Sequence, residues 1–332
     1  MVMNEKGISV LEEYELEVLS IRKGRGMLLV ETDKGVKKLV ELKGTEAHAE
    51  FQNTVQEQLL VKEGIKTDNF IRNKEGELFT TDKDNRKYAL KEHIEGEECD
   101  IKNQQDVALM VKNLARLHKT MELSGCMELK EETYQQDIMK KELEKHNKEL
   151  RKIRSYIRSR SSISIFETKF LKEFEGFYEE GEKALELLQG SAYKSLCDQS
   201  LETGTICHGD YNYHNVIFEK RTVSTINFEK CHVGIQMEDL YHFMRKILEK
   251  NNWDKKMGRK MLEEYRSVRR ISQEEQENLY IRLMYPEKFW KLANQYYNSN
   301  KAWISNKTIE KLETVVMQNE KKREFLKEFT KM

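Results

Sequence analysis

Cys207-His208-Gly209-Asp210-Tyr211-Asn212-Tyr213-His214-Asn215-Val216-Ile217-Phe218 is the stretch on which the reading of this chain turns. It contains His-x-Asp-x-x-x-x-Asn and runs straight into a hairpin pattern. The apolar run Val216 to Phe218 is followed by a turn at Glu219-Lys220-Arg221 and by a strand from Thr222 to Phe228. The spacing suits a carboxylate that orients or deprotonates an acceptor hydroxyl, with an oxygen donor five residues later that holds Mg²⁺ against phosphates. Asp210 is the candidate catalytic group and Asn215 the candidate metal ligand; His208 braces the loop as a neutral, buried imidazole.

Upstream, the first ninety or so residues alternate with the two-residue period of a half-buried sheet. Leu16 to Ser20, Met27 to Thr32 and Val36 to Leu42 predict a three-stranded meander. Gly44-Thr45 opens a helix capped by Thr45, with Phe51, Val55 and Leu59 on one face and Gly64 as its stop. Glu77 to Thr81 and Lys87 to Ile94 predict two further strands, and Glu95-Gly96-Glu97 breaks the pattern. The expectation is an N-terminal lobe over 1–95, a five-stranded sheet plus one helix, ending in a hinge. From Asp106 the period becomes 3.6, with Val107, Met110, Val111, Leu114 and Leu117 on one face closed by His118. Residues 96–332 are therefore expected as a mainly helical C-terminal lobe carrying the loop and the strand behind it. A single proline, Pro286, and 16 glycines agree with a helix-rich α+β chain of two lobes.

Lys plus Arg is 58 and Asp plus Glu is 58, so the formal charges cancel. That balance argues against a general nucleic-acid coat and against a polybasic membrane binder, which both need surplus cations. The hydrophobic fraction of 38%, with Trp 3, Tyr 14 and Phe 13, supports a folded chain. The longest plainly apolar run, Val107 to Val111, falls far short of the roughly 20 residues of a membrane span. A cytosolic location in the producing cell, with no membrane partner, is the expectation. Cys99, Cys126, Cys197, Cys207 and Cys231 form no C-x-x-C pair and are read as free thiols. Cys207, His208, His214, Cys231 and His232 lack paired-ligand spacing for zinc and are read as packing. The basic run Met139 to Arg160 is read as a solvated helix face with Glu142, Glu144 and Glu149 as ion-pair partners. Tyr285, Phe289, Leu292 and Tyr296 follow helical spacing and are read as core.

Several stretches together resemble the aminoglycoside phosphotransferase and choline kinase superfamily. They are Leu114-Ala115-Arg116-Leu117-His118, the loop from His208 to Asn215, and Ile226-Asn227-Phe228-Glu229. Glu238 to Leu248, Tyr285-Pro286-Glu287-Lys288-Phe289-Trp290 and Ala302-Trp303-Ile304 resemble the spore-coat CotS branch of that superfamily. The resemblance covers the chain from about Leu16 to the final helix. It implies a bilobal protein-kinase-like fold, ATP and Mg²⁺ as cofactors, and Glu92, His93 and Ile94 as the hinge segment that meets the nucleotide. It also implies synthesis in the mother cell, deposition in the spore coat, and other coat proteins as partners.

The chain departs from that pattern where the chemistry is most exacting. Active members carry Ile-Asp-Phe-Asp or Ile-Asp-Phe-Glu, with the first aspartate on Mg²⁺, and this chain has Asn227. An amide keeps an oxygen donor and loses a full charge, so metal binding is expected to be weaker. Side chains two apart on a strand face the same way, so Glu229 is expected to lean toward the metal that Asn227 holds poorly and to join the metal set. The strand lysine that holds phosphates is best matched by Lys38, with Lys37 and Lys43 as weaker substitutes and Glu50 and Glu57 competing as its helix partner. Gly24-x-Gly26 reads as a hairpin turn. Two functions follow: an ATP-dependent phosphotransferase to a small-molecule or protein hydroxyl, or a catalytically inactive scaffold for coat proteins.

Overall fold

The computed structural model describes residues 5–24, 26–122, 138–219, 222–298 and 306–330. By its contacts the chain divides into two units, Met1–Thr133 with Thr205–Val233, and Tyr134–Gly204 with Gly234–Met332. The expected catalytic loop and the hairpin behind it thus belong with the N-terminal strands. Ala302, Trp303, Ile304 and Cys126 lie outside the described residues.

In the first unit a 3₁₀ helix, Glu5–Glu13, precedes the meander β1 (Val18–Lys23), β2 (Leu28–Thr32) and β3 (Gly35–Glu41). Registers Ile21↔Val30 and Leu28↔Leu39 put apolar side chains in rows. Helix α1 (Glu46–Glu63) starts where the Thr45 hydroxyl accepts the His48 N–H, and stops at Gly64, which takes φ 62°. Phe51, Val55 and Leu59 are buried as their spacing predicts. Next come β4 (Phe70–Ile71), β5 (Thr80–Thr81) and β6 (Lys87–Glu92). The antiparallel order is β1-β2-β3-β6-β4, with β5 also on β6. The sheet has six strands rather than the expected five, because β4 is two residues long and shows no period. The strand expected from Glu77 shrinks to Thr80–Thr81, since the Asn73 side-chain oxygen captures the N–H groups of Glu75 and Glu77 in a turn. One face of the sheet packs Val30, Leu39, Tyr88 and Leu90 against Val10 and Leu11 of the 3₁₀ helix and Tyr14 just after it. The other packs Ala89 and Phe70 against Ala49 of α1.

The rest of this unit is β7 (Glu97–Glu98), α2 (Gln104–Thr120), β8 (Ile206–Cys207), β9 (Val216–Glu219), β10 (Thr222–Thr225) and β11 (His232–Val233). β7, β9 and β10 form a small sheet, and β11 pairs with β8. The strand expected to run to Phe228 ends at Thr225. Beyond it Ile226 N–H bonds the Asn215 carbonyl, and Asn227 turns into the left-handed region at φ 68°.

The second unit holds α3 (Ile138–Arg158), α4 (Ile165–Gly190), α5 (Tyr193–Thr203), α6 (Met237–Lys250), α7 (Lys255–Arg266), α8 (Gln273–Met284), α9 (Glu287–Asn298) and α10 (Asn306–Phe329). No helix of the described residues is long and apolar enough to cross a membrane. Its core is aromatic: Phe289 stacks on Phe170 at 5.0 Å and on Phe177 at 4.3 Å between centroids. Tyr285, Phe289 and Leu292 are buried. Basic residues of α3 take carboxylate partners, Lys140 with Glu144 and Arg154 with Glu175.

Two histidines of this unit set a pH response. His146 is stacked on Trp290 with centroids 3.3 Å apart, and burial holds its pKa below the usual histidine range despite Glu287. Burial likewise pulls His242 down to about 4, outweighing Glu238. The unfolded chain takes up these protons near pH ~6.5 and the folded chain does so only at lower pH. Stability should therefore fall as pH drops from about 6.5 toward 4. Urea titrations of wild type and of His146→Gln/His242→Gln should show a flatter pH slope in the variant; equal slopes would contradict the assignment.

Candidate functional site

The loop between β8 and β9 is held by its own backbone. His208, fully buried, accepts the Asp210 N–H at Nδ1 (3.2 Å) and donates from Nε2 to the Ile226 carbonyl (3.1 Å). This is the tautomer with the proton on Nε2, and it ties the loop to the segment after the hairpin. Tyr211 donates to the Met110 carbonyl at 2.7 Å, while Asn113 of α2 donates to the Tyr211 hydroxyl at 3.1 Å and to Thr225 Oγ1 at 2.8 Å. Gly209 sits at φ 77°, and a Cβ there would meet the Lys230 carbonyl oxygen at 2.1 Å. Gly209→Ala should cost about 2 kcal/mol. The check is a lowered urea midpoint for the first unit; an unchanged midpoint would show that the loop is free to move.

Asp210 emerges from this brace with its side chain 27% exposed. Its Oδ1 accepts from Asn212 Nδ2 at 3.0 Å and its Oδ2 from Lys230 Nζ at 3.1 Å. Its carbonyl accepts from Asn215 Nδ2 at 2.9 Å. Asn215 Oδ1 in turn receives Asn227 Nδ2 at 3.5 Å. The structure thus brings His208, Asp210, Asn215 and Asn227 into one hydrogen-bonded chain.

Behind them lies a buried ionic cluster that the sequence did not announce. Asp68, between α1 and β4, is 1% exposed at its side chain and lies 2.5 Å from Lys38 Nζ. It accepts the Asn227 N–H on both oxygens, at 3.0 and 3.1 Å, and Gln56 Nε2 at 2.9 Å. Burial alone would raise its pKa; Lys38, Lys91 and the Asn227 N–H outweigh it and leave the carboxyl below the usual range. Lys38, the best match for the strand lysine, pairs with Asp68 and with neither Glu50 nor Glu57. Helix α1 turns the amide of Gln56 toward Asp68, and Glu57 accepts from Asn53 instead. Lys37 pairs with Glu92 of the hinge segment at 2.8 Å. His93 is held below the usual histidine range by burial and by Lys38, and Ile94 beside it is half-buried. Glu229 is exposed, and its carbonyl is bonded to His48 Nε2 at 2.9 Å. Because Asn227 is not in a strand, the two-residue period that was to aim Glu229 with it does not run through this stretch.

This donor set does not suit Mg²⁺. Mg²⁺ takes about six oxygens, several of them from water and substrate phosphates, and needs one or two free carboxylates from the protein. Asp68 is saturated by Lys38, Gln56 and Asn227, Asp210 is engaged by Asn212 and Lys230, and the amides of Asn215 and Asn227 face each other. Among the described residues no group of three His, Cys, Asp or Glu is placed to hold a metal ion.

Residues 8–329 match the family described as "Spore coat putative kinase YutH". The chain belongs to that family. It is also similar to Spore coat protein S of Bacillus subtilis (strain 168), with 24% identity over 164 residues; the match spans 49% of this chain and about half, 47%, of that relative. Among solved structures it is similar to an aminoglycoside phosphotransferase from Alicyclobacillus acidocaldarius, with a TM-score of 0.86 and 18% identity over 98% of this chain and 95% of that one. A spectinomycin phosphotransferase, solved with ADP and spectinomycin, superposes with a TM-score of 0.64 and 13% identity over 96% and 98%. The fold of this spore coat family member is therefore the kinase-like α+β fold that the resemblance implied.

Sequence reasoning missed Asp68, Gln56, Lys91, Asn113 and Lys230. Asp68 sits in Thr67-Asp68-Asn69, a turn-like run with no periodic signal. Lys91 was legible in principle, since the pairing of β3 with β6 sets it opposite Lys38.

Proposed function

We propose that the protein is a kinase-fold component of the spore coat that keeps a hydroxyl-positioning loop but lacks metal-dependent phosphoryl transfer, and that it presents its surfaces to other coat proteins. The observation that carries this reading is at position 227. An amide replaces the carboxylate of active kinases there, and its backbone is fixed on the buried Asp68. Loss of the negative charge removes attraction that a dication needs, and the carboxylate that the Asn227 N–H rests on, Asp68, is already offset by the ammonium groups of Lys38 and Lys91. Family membership and the likeness to Spore coat protein S support synthesis in the mother-cell cytoplasm and deposition in the coat.

A second reading, transfer of a phosphoryl group to a small-molecule or protein hydroxyl, is favoured by Asp210, whose carboxylate is fixed and still partly open to solvent. A transfer assay with labelled ATP, amino-alcohol and aminoglycoside acceptors and spore-coat extract separates the two, with Asp210→Ala as control. Label incorporation equal in wild type and control is expected. Incorporation that depends on Asp210 would overturn the scaffold reading in favour of the phosphotransferase.

A further inference from the structure

The register of β3 on β6 places Lys38 directly opposite Lys91, and the register of β4 on β6 places Phe70 opposite Lys91. One row of side chains thus crosses three strands. The adjacent cross-strand pair, Lys37 and Glu92, is of opposite charge and joined at 2.8 Å. Lys38 and Lys91 carry like charges and are 6% and 3% exposed. Like charges opposite each other in an antiparallel ladder are unfavourable, and an ammonium buried without a partner is more so.

One buried carboxylate, Asp68, stands against these two ammonium groups, and its oxygens are taken by Lys38, Gln56 and the Asn227 N–H. Lys91 Nζ has no hydrogen-bond or ion-pair partner among the described residues. It rests over the Phe70 ring, 4.0 Å from the centroid. Burial, with Lys38 beside it, holds its pKa below the usual lysine range, which Asp68 and the exposed Glu229 offset only in part. The opposite face of the same strand carries Leu90 in the core. Two buried ammonium groups thus face one buried carboxylate, next to the loop that holds Asp210 and Asn215, and the further carboxylate acting on Lys91, that of Glu229, is exposed to solvent.

We propose that Lys91, together with Lys38, is a receptor for phosphate groups that works without a divalent cation. The fixed ammonium of Lys91 supplies the positive charge that a metal ion supplies in metal-dependent kinases. An anion with several charged oxygens can bridge two ammonium groups at once, as a phosphate chain does and a lone halide does not. That chain could come from a nucleotide or from inorganic polyphosphate. The inference deepens the reading of position 227 as unfit for metal, and it holds whether or not any phosphoryl group is transferred.

The test is calorimetric titration of the full chain with ADP, ATP and inorganic tripolyphosphate, each in EDTA and in Mg²⁺, on wild type and Lys91→Met. Wild type should bind in EDTA at least as tightly as in Mg²⁺. Lys91→Met should lose affinity by about 10- to 100-fold, the worth of a charge-assisted hydrogen bond. The melting temperature of the ligand-free variant should be equal to or above that of wild type, since an unpaired buried charge has been removed; that readout shows the variant is folded. Tripolyphosphate binding as well as ATP would identify inorganic polyphosphate as a sufficient source, and binding confined to ADP and ATP would identify the nucleotide. Binding by wild type only in Mg²⁺, no binding at all, or equal affinity in Lys91→Met would overturn the proposal. None of these outcomes depends on the transfer assay, so the failure of one reading is distinguishable from the failure of the other.

Discussion

Asp68→Ala is expected to lower the stability of the first unit by about 3–5 kcal/mol, the typical cost of breaking a buried ion pair by removing one partner. The substitution strips the carboxylate from Lys38, deepens the imbalance at Lys91 and leaves the Asn227 N–H without its acceptor. Replacing the whole cluster is a different matter. Lys38→Met, Asp68→Leu and Lys91→Met together should recover most of the loss, because no uncompensated charge remains. Urea denaturation followed by hydrogen exchange of the amides of the first unit reads both. A loss below about 1 kcal/mol in Asp68→Ala would mean that water reaches the two lysines and that the cluster is not a sealed one. The same cluster has an acid signature. With its folded pKa depressed, Asp68 contributes stability that is present above the unfolded value of 3.8 and is lost as pH falls through the lower folded value. Lys91 works at the other end: its folded pKa lies below 10.5, so between the two values the unfolded chain binds more protons and stability rises with pH.

Asn227→Asp is expected to raise affinity for Mn²⁺ by about 10- to 100-fold, measured by the loss of the free-ion paramagnetic resonance signal on titration. The variant should fold, since aspartate tolerates the left-handed conformation that Asn227 adopts at φ 68° nearly as well as asparagine does. The new carboxylate would lie beside Asn215, supplying the negative charge that the present set of two facing amides lacks. Its gain is opposed by the ammonium groups of Lys38 and Lys91, so Asn227→Asp/Lys91→Met should bind the ion more tightly again. Equal affinity in wild type and Asn227→Asp would show that residue 227 is not what limits metal binding.

The parts of the fold that the sequence made legible are those with a period or a punctuation mark. Helix α1 was bounded by Thr45 and Gly64 because a hydroxyl cap and a left-handed glycine are local devices. The meander and the face of α2 were carried by alternation and by the 3.6-residue spacing. Strand β4 was not legible, because two residues, Phe70 and Ile71, cannot show a period. The end of β10 was misplaced because Val223 to Phe228 alternates like a strand, while the chain is bent out of it by the Asn227 N–H reaching Asp68. At the site, the loop from His208 to Asn215 could be read because its bonds run within eight residues and to the adjacent hairpin. The lysine could be narrowed to Lys38, but its partner lies 30 positions away in an aperiodic segment. The helix glutamates were the natural guess, yet the buried position belongs to Gln56, and an amide leaves no charge pattern to follow.

The most direct measurement is a crystal structure of the wild-type chain grown with Mn²⁺ and a non-hydrolysable ATP analogue, with diffraction data collected at the manganese absorption edge. The account predicts phosphate oxygens within hydrogen-bond distance of Lys91 Nζ and no anomalous peak between Asn215 and Asn227. A manganese peak held by those two side chains, with Lys91 turned away from the phosphates, would contradict it.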